Sequence, residues 1–176
     1  MPNPLRFLVC GVAFVGLMGV ADAKDQTASH KGHSKGHSMT VSPGNFVSLQ
    51  LSVQGGMVLV FHTYNVRNHR IFQKVEDATS TARPKTTVRS KSLSSRELDA
   101  LIAALNANSI PALAGDYEEA GLRDGRTEKL SLKLRDAQRR VRTFTISNYG
   151  NKAPKAYTTF LDRFSTLVES KFPRTP

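Results

Sequence analysis

LSSRELDALIAALNAN, residues 93–108, decides how the rest of the chain is read. Ser94 is a good N-cap because its hydroxyl accepts a backbone N–H two or three residues on. Glu97 stands three residues later and can reach back to the Ser94 amide, completing a capping box. Leu93 and Leu98 flank the cap at the spacing of a hydrophobic staple. Leu98, Leu101, Ile102 and Leu105 then recur at i, i+3, i+4 and i+7, one stripe of a helix. Ala100, Ala103, Ala104 and Ala107 add helix propensity without bulk. Asn106 and Asn108 are stop signals, and Pro111 forbids continuation. Each large apolar side chain of the stripe contributes roughly 1.5–3 kcal/mol when buried, before entropy is charged. The stripe therefore reads as core, and the flanking segments must supply the surface it packs on.

Before the helix, Val47, Leu49, Leu51 and Val53 alternate with Ser48, Gln50 and Ser52, the pattern of a half-buried strand. Gly55-Gly56 follows as a two-residue hairpin signal, and residues 57–66 form a second, more continuously apolar strand. Asn68 marks a turn. Residues 70–75 read as a third strand with Ile71 and Val75 on one face, and 76–84 as a polar loop. Residues 86–91 are β-prone but weakly apolar, and their Lys and Arg side chains suit an edge strand that must not pair with strangers.

After the helix, residues 109–129 read as a loop punctuated by Pro111, Gly115, Gly121 and Asp124-Gly125. Leu130, Leu132 and Leu134 alternate with Ser131, Lys133 and Arg135 in another half-buried strand. A turn at 136–139 leads to a returning strand at 140–147, with Phe144 and Ile146 inward. Val141 is out of phase there, which predicts a bulge or a frayed end. A final helix runs over about 154–171, with Pro154 at its first position. Tyr157, Phe160, Leu161, Phe164, Leu167, Val168 and Phe172 mark its broad apolar face. The expected fold is α+β: a single antiparallel sheet of about five to six strands, with two amphipathic helices packed on one face.

The 176 residues allow one domain with appendages. Residues 1–23 read as a signal peptide. Arg6 supplies the positive start, 7–20 the apolar stretch, and Ala21-Asp22-Ala23 the small residues needed for cleavage after Ala23. That stretch is too short for a comfortable membrane span, so no stable membrane insertion is expected after cleavage. Cys10 is preceded by Val9, too large for a lipoprotein cleavage motif. Residues 24–44, rich in His, Lys, Ser and Gly, read as a disordered leader; residues 45–172 as the domain, and 173–176 as a tail. A periplasmic or secreted location is the expectation, with the chain a monomer. The formal net charge is +11. Cleavage removes Arg6 and Asp22, one charge of each sign, and leaves that value unchanged. It also removes the lone cysteine, so neither a disulfide nor a thiol nucleophile is available to the remainder.

No sequence motif names a reaction: HExxH, GxSxG and phosphate-binding glycine loops are absent from the chain. His30, His33 and His37, spaced by three and four, are the candidate metal ligands. Imidazole suits Zn, Cu or Ni, and three rings can converge if the peptide folds round the ion. Ordering the tail costs entropy, so affinity should be modest; the alternative is a solubilising linker. His62 shares a strand face with Val58, Val60 and Tyr64 and reads as a packing residue. Asp116, Glu118, Glu119 and Asp124 are solvated loop acids matching no calcium loop, placed to pair with Arg123 and Arg126. Arg83, Lys85, Arg89 and Lys91, together with Arg139, Arg140 and Arg142, would form one anion-binding patch if edge strand and hairpin share a side. Export argues against nucleic acid, and no base-stacking sheet motif is visible. The expected partner is a protein or an anionic envelope polymer.

Gln54-Gly55-Gly56, LSSRELDALIAAL, Ile110-Pro111-Ala112-Leu113 and the closing hairpin with its helix resemble the emfourin family over most of residues 45–172. That resemblance implies a small bacterial inhibitor of thermolysin-like metallopeptidases. It also implies a loop near Gly55-Gly56 or over 114–125 reaching the peptidase cleft. The signal peptide, the His-rich leader and the insertion at 67–92 depart from the family's pattern. The expectation is thus a non-enzymatic exported binding domain, inhibitor-like in kind, with metal binding by the histidine tract as the alternative. A metal site in the leader predicts calorimetric Zn²⁺ or Cu²⁺ binding that disappears in a chain beginning at Ser42. Binding that survives that truncation would place the ligands elsewhere.

Overall fold

A computed structural model describes residues 39–55, 60–79, 84–119 and 125–173. The strands are β1 (Phe46–Gln54), β2 (Val60–Arg67), β3 (Arg70–Asp77), β4 (Lys85–Ser92), β5 (Gly115–Glu118), β6 (Thr127–Arg135) and β7 (Val141–Tyr149). Helix α1 (Ser95–Ala107) follows β4, and α2 (Lys155–Lys171) follows β7. The strands make one sheet in the order β4-β3-β2-β1-β6-β7-β5. It has seven strands rather than five or six, and it is mixed rather than antiparallel, because β5 runs parallel to β7. The added strand lies inside the expected loop 109–129. GDYE has no apolar alternation, so its strand character comes from docking. Ile110 of a short 3-10 turn (Ile110–Leu113) is 1% exposed in the core. The Tyr117 hydroxyl then donates to the Leu113 carbonyl at 3.0 Å, fixing the chain beside β7.

Three local expectations are corrected by the pairing register. A two-residue turn at Gly55-Gly56 would set Gln54 opposite Met57, but Gln54 pairs with Phe61. The shift is four residues, an even number, so the inward face of β2 is the one the alternation indicates. The β6–β7 register runs unbroken to Arg135 opposite Val141, which is simply exposed at the strand end. The irregularity falls in β1 instead, between Phe46 and Ser48. Val47 is the extra residue there, and Phe46 replaces it against the core.

Both helices lie on one side of the sheet. The register puts Leu49, Leu51, Val66, Ile71, Leu130, Leu132, Leu134 and Ile146 on a single face, and all belong to one buried cluster with the helices. α1 contributes Leu98, Leu101, Ile102, Ala104 and Leu105; α2 contributes Tyr157, Phe160, Phe164 and Val168. Pro154 is the N-cap of α2 rather than its first helical residue. The capping box of α1 is complete: the Ser94 N–H donates to Glu97 Oε2 at 2.8 Å and the Glu97 N–H to Ser94 Oγ at 3.3 Å. Glu97 also meets Lys171 Nζ at 2.7 Å, tying the start of α1 to the last turn of α2. There the lysine complements the helix dipole.

Ordered packing begins before Asn45. Val41 is 2% exposed in the core, and its N–H and carbonyl are both bonded to the Asn106 side chain at 2.8 Å. Residues 39–44, grouped by composition with the leader, are thus part of the fold, and a truncation that spares it must start no later than Met39. Asn68 and His69 join β2 to β3 with φ of 49° and 54°, the two-residue turn of left-handed residues whose twist matches the right-handed twist of the strands.

Two outcomes follow from these contacts. Lys171, then the Ser94 amide and hydroxyl, hold the Glu97 carboxyl at about 2, below its ordinary 4.5. Its stabilising contribution is complete above about pH 4.5 and is lost as pH falls through 2. Glu97→Ala should cost about 1 kcal/mol at neutral pH, and urea midpoints of the two proteins should converge between pH 4.5 and 2. Replacing His69 by glycine removes a left-handed β-carbon clash and should raise stability by about 0.5–1 kcal/mol, read from the same midpoints.

Candidate functional site: the uncovered sheet face

His30, His33 and His37 lie outside the described residues. Among the described residues, no group of three His, Cys, Asp or Glu side chains could hold a metal ion. The histidines and loop acids of the domain are dispersed. His62 points to the helix side from β2, and His69 sits in the β2–β3 turn. Asp116 and Glu118 occupy the opposite face of β5. Four strand steps separate β2 from β5, about 19 Å at the usual strand spacing. Glu119 pairs with Lys152 at 3.2 Å, and Arg126 pairs with Glu128 at 2.9 Å rather than with a loop acid. Asp124 and Arg123 are outside the described residues. Of the two loops expected to reach a peptidase cleft, one contains β5 as a strand fixed on β7.

A groove of about 700 Å³ runs between α2 and the helix side of β1–β3. Leu51, Val53, Val60, His62 and Tyr64 form its floor, and Leu161, Phe164, Val168 and Phe172 its wall. His62 stacks on Tyr64 at 6.2 Å, and Tyr64 meets Phe164 edge-on at 6.3 Å. His62 Nδ1 is buried without a hydrogen-bond partner, so the ring packs without being satisfied. The charged lining, Arg126 and Glu169, sums to zero, and Arg126 is already held by Glu128. Nearby, burial and then the Glu128 carboxylate push the Tyr157 hydroxyl far above its ordinary value, so it stays protonated. The groove can accept an apolar group but has no charge preference to select one.

Of the basic patch expected from the edge strand and the last hairpin, Arg83 lies outside the described residues, and the described members do not gather into one patch. β4 and β7 are five strand steps apart, about 24 Å. In the hairpin, Arg140 and Arg142 both bind Asp136, at 3.2 and 3.1 Å. Burial works against ionisation of that carboxyl, yet the Arg140 amide and the two guanidiniums outweigh it and hold it below its ordinary value. One carboxylate thus ties both guanidiniums and offsets one of their two positive charges.

Cations gather instead on the sheet face away from the helices. The register puts Arg67, Arg70, Lys74, Lys129, Lys133 and Arg135 there, against Glu76, Asp116 and Glu118. Lys74 pairs with Glu76 at 2.8 Å, and the two remaining acids sit on the outermost strand. Arg67 and Arg70 stack on Phe72, with guanidinium carbons 5.1 and 5.8 Å from the ring centre. Arg70 Nη2 also donates to Ser90 Oγ at 2.8 Å. Cation–π contact and hydrogen bonding fix these two side chains while leaving them without a carboxylate among the described residues. Between the cations the face is uncharged and polar: Gln50, Asn65, Ser131 and Thr145 share one row across the strands.

Part of this face was legible as the polar halves of alternating strands, Ser48-Gln50-Ser52 and Ser131-Lys133-Arg135, whereas Lys129 falls in the stretch read as a loop. What the sequence could not show is which strands lie side by side, and so which cations share a row. Among the described residues no helix is long and apolar enough to cross a membrane. Comparison with protein-family models and with curated proteins gives no match to this chain.

Proposed function

We propose that this chain is an exported, non-enzymatic binding domain that holds an acidic partner on its uncovered sheet face. One observation carries the reading: Arg67, Arg70, Lys129, Lys133 and Arg135 stand on one face without a carboxylate partner among the described residues, two of them pre-positioned on Phe72. Folding does not use these charges, because the core is on the other side of the sheet. Together they attract anions over a Debye length of about 8–10 Å, and guanidinium forks take carboxylate, sulfate or phosphate in pairs of hydrogen bonds. Fixing Arg67 and Arg70 in advance lowers the side-chain entropy lost on binding.

The test is retention on immobilised dextran sulfate. The wild-type chain should bind and elute with salt. The pair Arg67→Glu and Lys133→Glu should weaken binding by about tenfold, since each reversed exposed charge shifts it by roughly 0.5–1 kcal/mol. Reversing Arg89 and Lys91, which lie on the helix side of β4, should change it little. Equal losses from both pairs would mean general charge attraction and no role for this face.

A further inference from the structure

Resting on the open-face reading, we infer that the partner is a linear acidic polysaccharide, laid across the strands rather than along them. Charge on this face is placed in three parallel rows. In the first row Arg70, Arg67, Ser48, Lys133 and Thr143 follow one another over β3, β2, β1, β6 and β7. In the third row, four residues further along the strands, Lys74, Thr63, Ser52, Lys129 and Ser147 occupy the same five strands. The middle row is Phe72, Asn65, Gln50, Ser131 and Thr145, with no charge in it. Cations thus border an uncharged, hydrogen-bonding lane on both sides, more strongly in the first row, since in the third Lys74 is shared with Glu76 and Asp116 continues the row onto β5. The bordering rows are about 13 Å apart and the lane runs about 19 Å from β3 to β7.

A single extended chain fits such a lane, with acidic groups reaching the bordering cations and the backbone lying on amides and hydroxyls. Sugar hydroxyls are both donors and acceptors, which is what Gln50, Asn65, Ser131 and Thr145 complement. Asn65 is held by a 3.4 Å bond from its Nδ2 to Gln50 Oε1, and its Oδ1 is buried without a partner among the described residues, so its amide is only weakly tied within the row. Single-stranded nucleic acid would call for aromatic faces on which bases stack. Phe72, the aromatic ring in the lane, is already covered by Arg67 and Arg70, and the other aromatic side chains of this face, Phe61 and Tyr149, stand outside the lane, beyond the row of Lys74 and Lys129.

The experiment is calorimetric titration of the full chain with oligogalacturonates of increasing length, beside neutral malto-oligosaccharides and oligothymidylate. Affinity should climb with each added uronate until the lane is spanned and then level off. It should fall steeply with salt, and neutral sugars should not bind measurably. Gln50→Ala and Ser131→Ala, both outside the core, should each weaken the uronate several-fold and leave oligothymidylate unchanged. Lys129→Glu and Lys133→Glu should each weaken all anions. Galacturonic acid binding as tightly as the hexamer, or oligothymidylate outcompeting the uronate, would overturn the polysaccharide lane while leaving an anion-binding face. Charge reversals that leave every anion's binding unchanged would overturn the open-face reading itself.

Discussion

Leu49, Val66, Ile71, Leu132 and Leu134, all at 0% exposure, meet Leu105, Tyr157 and Phe160 across one helix–sheet interface. Two helices are available for seven strands, and both lie on the same side. Burying the other face as well would need a second apolar layer, which the described residues do not supply. Each central strand must therefore be apolar on alternate residues and polar on the rest. The open face is the necessary complement of the core, and its residues are released from packing to carry other chemistry.

The two helices are joined to each other as well as to the sheet. Glu97 serves twice, closing the capping box of α1 and accepting the Lys171 ammonium at the end of α2. One side chain thereby couples the orientation of both helices. Edges are handled by different means. β4 is charged on the helix side with Lys85, Arg89 and Lys91, and β5 is only four residues long. Both features discourage another chain from adding a strand, even with Val88 64% exposed on β4.

On the open face, rigidity and exposure coexist because neighbouring strands fix what no core touches. Phe72 is half-buried by the pleat and still offers a ring to two guanidiniums from a tight turn. Asn68 and His69 bring Arg67 and Arg70 directly opposite each other, so a two-residue connection with positive φ sets the spacing of the two cations. The arginines of the β6–β7 turn meet a different fate: one carboxylate, Asp136, holds both Arg140 and Arg142 and offsets part of the turn's positive charge.

The sequence by itself determined the elements whose signals are local. The capping box at Ser94 and Glu97, the stripe from Leu98 to Leu105, the alternation of β1 and β6, the edge character of β4 and the apolar face of α2 are all short-range patterns. Such patterns also settle which residues face the core, because side-chain direction follows a period of two or 3.6. Only the tertiary structure decided what depends on a partner distant in the chain. β5 is a strand because Ile110 anchors it beside β7; the bulge at Val47 exists because β6 fixes the register; Val41 is core because Asn106 binds it. The site belongs to this second kind. Arg67 and Lys133 are 66 residues apart and share a row only because β1 pairs with β2 on one side and β6 on the other. Hydrophobic alternation states which way a side chain points and leaves open which strand lies beside it.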